Sequence, residues 1–327
     1  MPDKTCNYIV GVDLGGTNVR AAVTDKNAII LGEGHRPSLA DEGSEATISQ
    51  IIEAIHEAID ASGVEPGSIC GIGMGVPGRH NSAEGIVLWS PNFKDLGTGV
   101  QILAPIRDEF GIPTYMGNDV NVAALGEFRF GAGIGISSMV MMTLGTGIGG
   151  AIILDGKLWA GVNEGGGEIG HQIINPNGMQ CECGNFGDLE GEARRDSIVE
   201  RALRKIYQGR RTVLAYKVEP KYYDLTPAMI AQAAAEGDQL SLEVMEETGY
   251  YIGIGVANAI NFLNPEMVVI GGGIAQAGAV LWDPIMRTVR ANAIERSLEV
   301  CRVIPAALGD NAGIMGGVVL VLQAIEG

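Results

Sequence analysis

The sequence predicts an α/β protein of two lobes, on three observations. The chain has 327 residues, more than one typical domain, and 46% of them are apolar, enough for a substantial core. Short strand-like runs alternate with helix-period segments along its length. One device also occurs twice: "GVDLGGTNVRAAVTD" and "MTLGTGIGGAIILDG" each read strand, Gly/Thr turn, strand, Asp-containing turn. Each lobe would then open with a hairpin, and the two Gly-rich turns would face a shared cleft.

The elements follow in order. Tyr8–Asp13, Val19–Thr24 and Ala28–Glu33 read as strands separated by Gly- or Asn-containing turns. In "SEATISQIIEAIHEAIDASG" Ile48, Ile51, Ile52, Ile55 and Ile59 recur at helical spacing, with Ser44 or Thr47 as the expected cap. "ICGIGMGVPG" reads as a buried strand ending in a turn. After Asn118 the pattern restarts: Ser138–Leu144 and Ala151–Leu154 are strand-like, and Lys157–Ala160 offers a third short strand. Helices are expected at about 191–208, 226–236 and 240–263, then a strand in "EMVVIGGGIA". "NAGIMGGVVLVLQAI" is a helix expected to return to the first lobe. These readings place the small N-terminal lobe at 1–118 with the helix of about 310–327 packed back on it, and the larger lobe at 119–309.

Composition excludes some functions. A formal charge of −17 disfavours a nucleic-acid face or an anionic membrane surface. The five cysteines form no regular framework, as expected in a reducing compartment. "MPDKTCNYIVGVD" has no apolar signal-peptide core. The uncharged run Thr248–Pro265 carries Gly and Asn and ends in Pro, so a buried helix is expected there, not a membrane span. The expected location is the cytoplasm.

The glycine turns carry the first chemical signal. Gly145-x-Gly147-x-x-Gly150 matches the dinucleotide fingerprint in letters, but the fingerprint must open a helix and "AIILDG" is strand-like. A P-loop pattern is absent. What both turns offer is unobstructed backbone N–H groups beside Thr17 and Thr146, which suits phosphate oxygens; tight hairpins with no ligand are the plain alternative. Asp13, ending the first strand, is placed to hold magnesium through water.

Asn118-Asp119 falls where a strand gives way to a helix, so either residue suits a cap. A carboxylate there equally suits proton removal from a substrate hydroxyl in phosphoryl transfer. In "GEIGHQIINPNGMQCECGNFGDLEGE", His171, Cys181, Cys183 and Asp188 are four candidate zinc ligands, a closed and therefore structural set. Glu168, Glu190 and the second nitrogen of His171 are good partners for a polyol; a solvated acidic loop with free thiols is the alternative.

Together "DLGGTNVRAAV", "GVPG", "GNDVNVAALGE", "LGTGIGGAIILDGKLWAG", "GEIGH…CECGNFGDLE" and "VVIGGGI" resemble, in order, the ROK family of sugar kinases and repressors, from about Val10 to Gly317. The resemblance implies a two-lobed actin-like ATPase (RNase-H-like) fold, mixed sheets with flanking helices, binding ATP and a sugar. By the same resemblance Asp119 is the general base and Asn118 a sugar contact. Glu168, His171 and Glu190 hold the sugar hydroxyls near C1 and C2, with Gly78 in the sugar-side turn. Gly15, Gly16 and Thr17, with Gly145, Thr146 and Gly147, bind phosphate, and Gly271 and Gly272 lie beside the adenosine.

Two departures from the family pattern matter. The zinc motif usually reads Cys-x-Cys-Gly-x-x-Gly-Cys, and here the last Cys is Asp188. "SPNFKDLGTG" lacks the Trp that many family glucokinases carry. The repressors' N-terminal helix-turn-helix has no room before Tyr8. The expectation is therefore an ATP-dependent glucokinase using Mg2+ with a structural Zn2+, a homodimer or homotetramer by family analogy, without nucleic-acid or membrane partners. An N-acetylhexosamine kinase, such as one acting on N-acetylmannosamine, is the alternative within the class, and a non-catalytic sugar sensor the one outside it.

Overall fold

The computed structural model describes residues 6–90, 99–215 and 225–326. Most of the Trp-less loop noted above therefore lies outside the described residues. The chain forms two compact units, one of residues 1–136, 157–166 and 306–327, the other of 137–156 and 167–305.

In the first unit, β1 (Tyr8–Leu14), β2 (Asn18–Asp25) and β3 (Ile30–Pro37) form an antiparallel meander. Val10, Val12, Val19, Ala21 and Val23 share a buried core with Ile51 and Ile55 of α1 (Ser44–Ser62). Neither expected residue caps α1. Gly43 occupies the cap at φ 104° with no side-chain bond, and the Thr47 hydroxyl is buried without a partner. β4 (Ile69–Val76) runs parallel to β1 and is buried along its whole length, as a strand covered on both faces must be. A small sheet of β5 (Arg79–Asn81), β6 (Ile86–Trp89) and β7 (Val100–Gln101) follows, then α2 (Leu103–Phe110). β8 (Thr114–Asn118) completes the main sheet in the order β3-β2-β1-β4-β8, and α3 (Asp119–Phe130) starts directly from its end.

The second unit begins with the hairpin β9 (Met139–Leu144) and β10 (Ile148–Leu154). β11 (Lys157–Leu158) lies in the short segment assigned to the first unit. The expected single helix over 191–208 is two: α4 (Leu189–Ala193) and α5 (Arg195–Tyr207), broken where Arg194 is extended at φ −68°, ψ 167°. α6 (Pro227–Ala235) starts at a Thr226 cap, and α7 (Gln239–Leu263) carries the uncharged run. The sheet continues with β12 (Met267–Gly271), parallel to β9. After α8 (Ala279–Asn292) and α9 (Glu295–Val300), β13 (Arg302–Pro305) pairs with β12, giving β10-β9-β12-β13. Ile252, Val256 and Ile260 of α7 are fully buried with Ile285 and Val289 of α8. No described helix is long and apolar enough to cross a membrane.

α10 (Ala312–Glu326) packs on α3, β1 and β4 of the first unit. A Cβ on Gly73 would collide with the Gly317 carbonyl, so glycine at this crossing lets helix and sheet backbones touch. The helix was expected there, but the boundary differs from 118/119. α3 packs on α10 and stays with the first unit, and the second ends at Pro305. One cysteine pair departs from the absence of a framework expected from the sequence. Cys6 and Cys70 form a disulfide with Cα atoms 5.0 Å apart, because parallel pairing sets Tyr8 opposite Ile69.

Candidate active site

In the first unit the turn between β1 and β2 is closed by Gly15 N–H donating to the Asn18 carbonyl at 2.9 Å. Ser38, just after β3, fastens it: its hydroxyl donates to the Gly16 carbonyl at 2.7 Å and its N–H to the Thr17 carbonyl at 2.9 Å. A cavity of about 540 Å³ opens here, lined by Asp13, Gly15, Gly16, Thr17, Arg20 and Asp310 among others. The expected phosphate turn thus shares a cavity with the expected magnesium carboxylate. Arg20 was not among the expected site residues, although the hairpin register sets it opposite Asp13, a relationship readable from the length of the turn. Its guanidinium donates to the Asp310 carbonyl at 2.7 Å and to Asn311 Oδ1 at 2.9 Å. Burial, first, and then the charge of Asp119 raise the Asp13 pKa to about 6, against the lowering effect of Arg20.

Of the two residues that suit a cap, Asn118 holds the N-cap position of α3. Asn118 is the cap: its Oδ1 accepts from Val120 N–H at 3.0 Å and Asn121 N–H at 3.1 Å. Its amide donates to the Gly78 carbonyl at 3.3 Å, joining the expected sugar-side turn to the head of α3. Gly78 has φ 105°, and a Cβ there would meet the Trp89 carbonyl, so the turn requires glycine. Asp119 is the first residue of the helix, half-buried, its Oδ1 accepting from Val120 N–H at 2.9 Å. An anionic side chain is favoured at that end of a helix.

In the second unit the β9–β10 turn is closed by Gly145 N–H donating to the Gly147 carbonyl at 3.0 Å. Gly272, φ 87°, lies against the backbone of Leu144, which brings the Gly271–Gly272 turn beside the β9–β10 turn. A cavity of about 780 Å³ adjoins both turns, lined by Gly145, Thr146, Arg195, Gln232, Gly273 and Gln276 among others. Its walls on α5, α6 and the segment after β12 carry no local sequence signal.

The metal-like residues converge as expected. His171, Cys181, Cys183 and Asp188 present ligand atoms within 4.8 Å of one another. Asp188 is fully buried and acts twice: Oδ1 caps α4 through Gly191 N–H at 2.7 Å, and Oδ2 takes His171 Nδ1 at 3.0 Å and the Cys183 thiol at 3.3 Å. Burial alone would lower the His171 pKa. Its hydrogen bond to Asp188 and the charges of Glu190, Asp188 and Glu168 hold it above its usual value. Burial likewise opposes ionisation of Asp188, but bonds from His171 and Gly191 keep its pKa low. Burial pushes the Cys181 thiol up, so a metal entering here must displace its proton. Two thiols, an imidazole and a carboxylate at this spacing fit a tetrahedral zinc. Glu168 is exposed, and Glu190 accepts from Ile148 N–H at 2.8 Å.

The arrangement can be compared with known proteins. The ROK family model matches residues 9–324. A glucokinase of Halalkalibacterium halodurans is 34% identical over 319 residues, 97% of this chain and 95% of the relative. A xylose repressor of Caldicellulosiruptor bescii is 29% identical over 98% of this chain, which spans 79% of the repressor. The crystal structure of a ROK family glucokinase from Streptomyces griseus, in complex with glucose and AMPPNP, superposes with a TM-score of 0.81 at 29% identity, covering 97% of this chain and 99% of that one. The actin-like ATPase fold expected from the sequence is the fold of such neighbours, and with a family match over nearly its whole length the chain belongs to the ROK family.

Proposed function

We propose that this ROK sugar kinase transfers the γ-phosphoryl group of ATP to the 6-hydroxyl of a hexose, with glucose the preferred acceptor, giving glucose 6-phosphate and ADP. The observation that carries the reading is Asp119 at the head of α3 beside a turn-lined cavity that holds Asp13, Gly15, Gly16 and Thr17. Asn118 supplies the helix cap, so the cap does not require Asp119. Similarity to a glucokinase over 97% of the chain supports the choice of sugar.

In this mechanism Asp119 accepts the proton of the 6-hydroxyl as that oxygen attacks the γ-phosphorus in line. The bond from γ-phosphorus to the β–γ bridging oxygen breaks, and ADP leaves with that electron pair. The backbone N–H groups of the Gly15–Thr17 turn and those of the Gly145–Gly147 turn are each assigned to phosphate oxygens. Asp13 would hold magnesium through water, and the ion would neutralise phosphate charge. A cation beside Asp13 would also favour its ionised form, which burial opposes.

Glu168, His171 and Glu190 are assigned to the sugar hydroxyls. A zinc on His171, Cys181, Cys183 and Asp188 would be structural, and Nδ1, the nitrogen turned toward Asp188, would be its ligand. Nε2 would then be left for the sugar. We place the protein in the cytoplasm as a homodimer or homotetramer without a nucleic-acid partner. There the Cys6–Cys70 pair would be kept reduced.

A coupled ADP-release assay with glucose, mannose, N-acetylglucosamine and N-acetylmannosamine tests the reading. Highest kcat/KM with glucose supports it, and a preference for an N-acetylated sugar reassigns the acceptor. The xylose repressor relative makes a non-catalytic sensor the competing account, and sugar binding without any ADP release would favour it.

A further inference from the structure

We propose that Arg195 is a binding residue for the phosphates of the nucleotide, a role that its neighbour Arg194 does not share; the inference rests on the proposed kinase function, with ATP assigned to the cavity of about 780 Å³ that adjoins the Gly145–Gly147 turn. Arg195 is the sole charged residue among the described residues lining that cavity, whose other walls are apolar or neutral, including Gln232, Gln276 and Thr146. Its backbone N–H donates to the Gly145 carbonyl at 3.0 Å, fixing the start of α5 against the turn expected to carry the phosphates. The guanidinium therefore originates at the phosphate end of the cavity.

Two further facts separate this arginine from an ordinary surface cation. It stands at the first position of a helix of 13 residues, where the backbone dipole disfavours positive charge. Helix stability gives no reason for a cation there, whereas a phosphate in the adjoining cavity does. Its ion pair with Asp196 is loose, 3.6 Å between groups that are both 60% exposed, so the guanidinium is not consumed by a structural contact. Arg194 is the opposite case. It is 16% exposed and bonded to Glu182 at 2.7 Å, between the two cysteines of the metal-like loop. Adjacent arginines thus serve different ends, one fastening the loop and one facing the cavity. A protein of net charge −17 that binds a polyanion needs such a local cation.

The test is calorimetric titration of wild type, Arg195→Gln and Arg195→Lys with adenosine, with ADP and with ATP. At 60% exposure the side chain is not needed for folding, and unchanged glucose binding would verify that. Arg195→Gln is expected to weaken ADP and ATP by roughly ten-fold, the worth of a charge-assisted phosphate contact, with adenosine within about two-fold. Arg195→Lys should recover part of the loss, since a point charge replaces the planar fork. Equal weakening of adenosine and ATP, or unchanged ATP affinity in Arg195→Gln, would overturn the assignment while leaving the ATP site in place. Wild-type protein that binds none of the three would overturn the ATP-site reading, and this inference with it.

Discussion

The Glu190 carboxylate accepts a hydrogen bond from the backbone N–H of Ile148 at 2.8 Å, so a residue assigned to the sugar braces the strand that leaves the turn assigned to phosphate. Its other oxygen takes the Cys181 thiol at 3.5 Å. One side chain thereby touches the turn and the metal-like loop together. Glu190→Ala is expected to weaken glucose and ATP together, each by roughly ten-fold for a lost charge-assisted bond. Glu168→Ala should affect glucose alone. Calorimetry on each ligand separately checks this, and an Glu190→Ala protein with wild-type ATP affinity would disconnect the turn from the sugar site.

Asp188 caps α4 besides being a proposed zinc ligand, and two substitutions separate the parts. Asp188→Cys should hold zinc at least as well, because thiolate is the softer ligand. It should also lose the cap on α4 that Oδ1 provides through Gly191 N–H, at a cost of about 1 kcal/mol. Asp188→Ala should lose both. Elemental analysis with urea unfolding distinguishes them, and metal-free wild-type protein of full activity would remove zinc from the account.

The buried Asp13 carboxyl makes stability depend on pH. Its folded pKa of about 6 lies above the ordinary 3.8, so the folded chain keeps a proton through that window while the unfolded chain has lost it. Stability must then fall as pH rises across the window. Asp13→Asn should raise the Tm of the nucleotide-free protein above pH 6, with a gain on the order of 1–2 kcal/mol after solvent screening. Near pH 4 the gain should vanish. Scanning calorimetry at both pH values checks the sign, and a lower Tm for the variant at neutral pH would contradict it.

The parts legible in sequence are those whose cause is local. Both hairpins are announced by Gly/Thr turns between apolar runs, and His171, Cys181, Cys183 and Asp188 lie close enough in the chain for a single loop to gather them. Tertiary causes are not written locally. The break at Arg194 arises where the chain stays extended between two separately started helices, inside what reads as one periodic segment. Cys6 and Cys70 meet across 64 residues because β1 and β4 are parallel neighbours. Arg195, Gln232 and Gln276 line one cavity although they come from three separate segments. The boundary after residue 136 depends on α10 packing against α3, from the far end of the chain.

The central claim is that Asp119 is the base in an ATP-dependent hexose phosphorylation. Asp119→Asn keeps the shape of the head of α3 and leaves the Asn118 cap in place, but its amide cannot take a proton. The most direct measurement is single-turnover phosphorylation of glucose by the wild type and by Asp119→Asn, with glucose affinity determined on the same preparations. The account predicts a loss of roughly 100-fold or more in the phosphoryl-transfer rate, with glucose affinity changed only modestly. A variant that phosphorylates glucose within a few-fold of the wild-type rate would contradict it and leave Asp119 a helix-start residue.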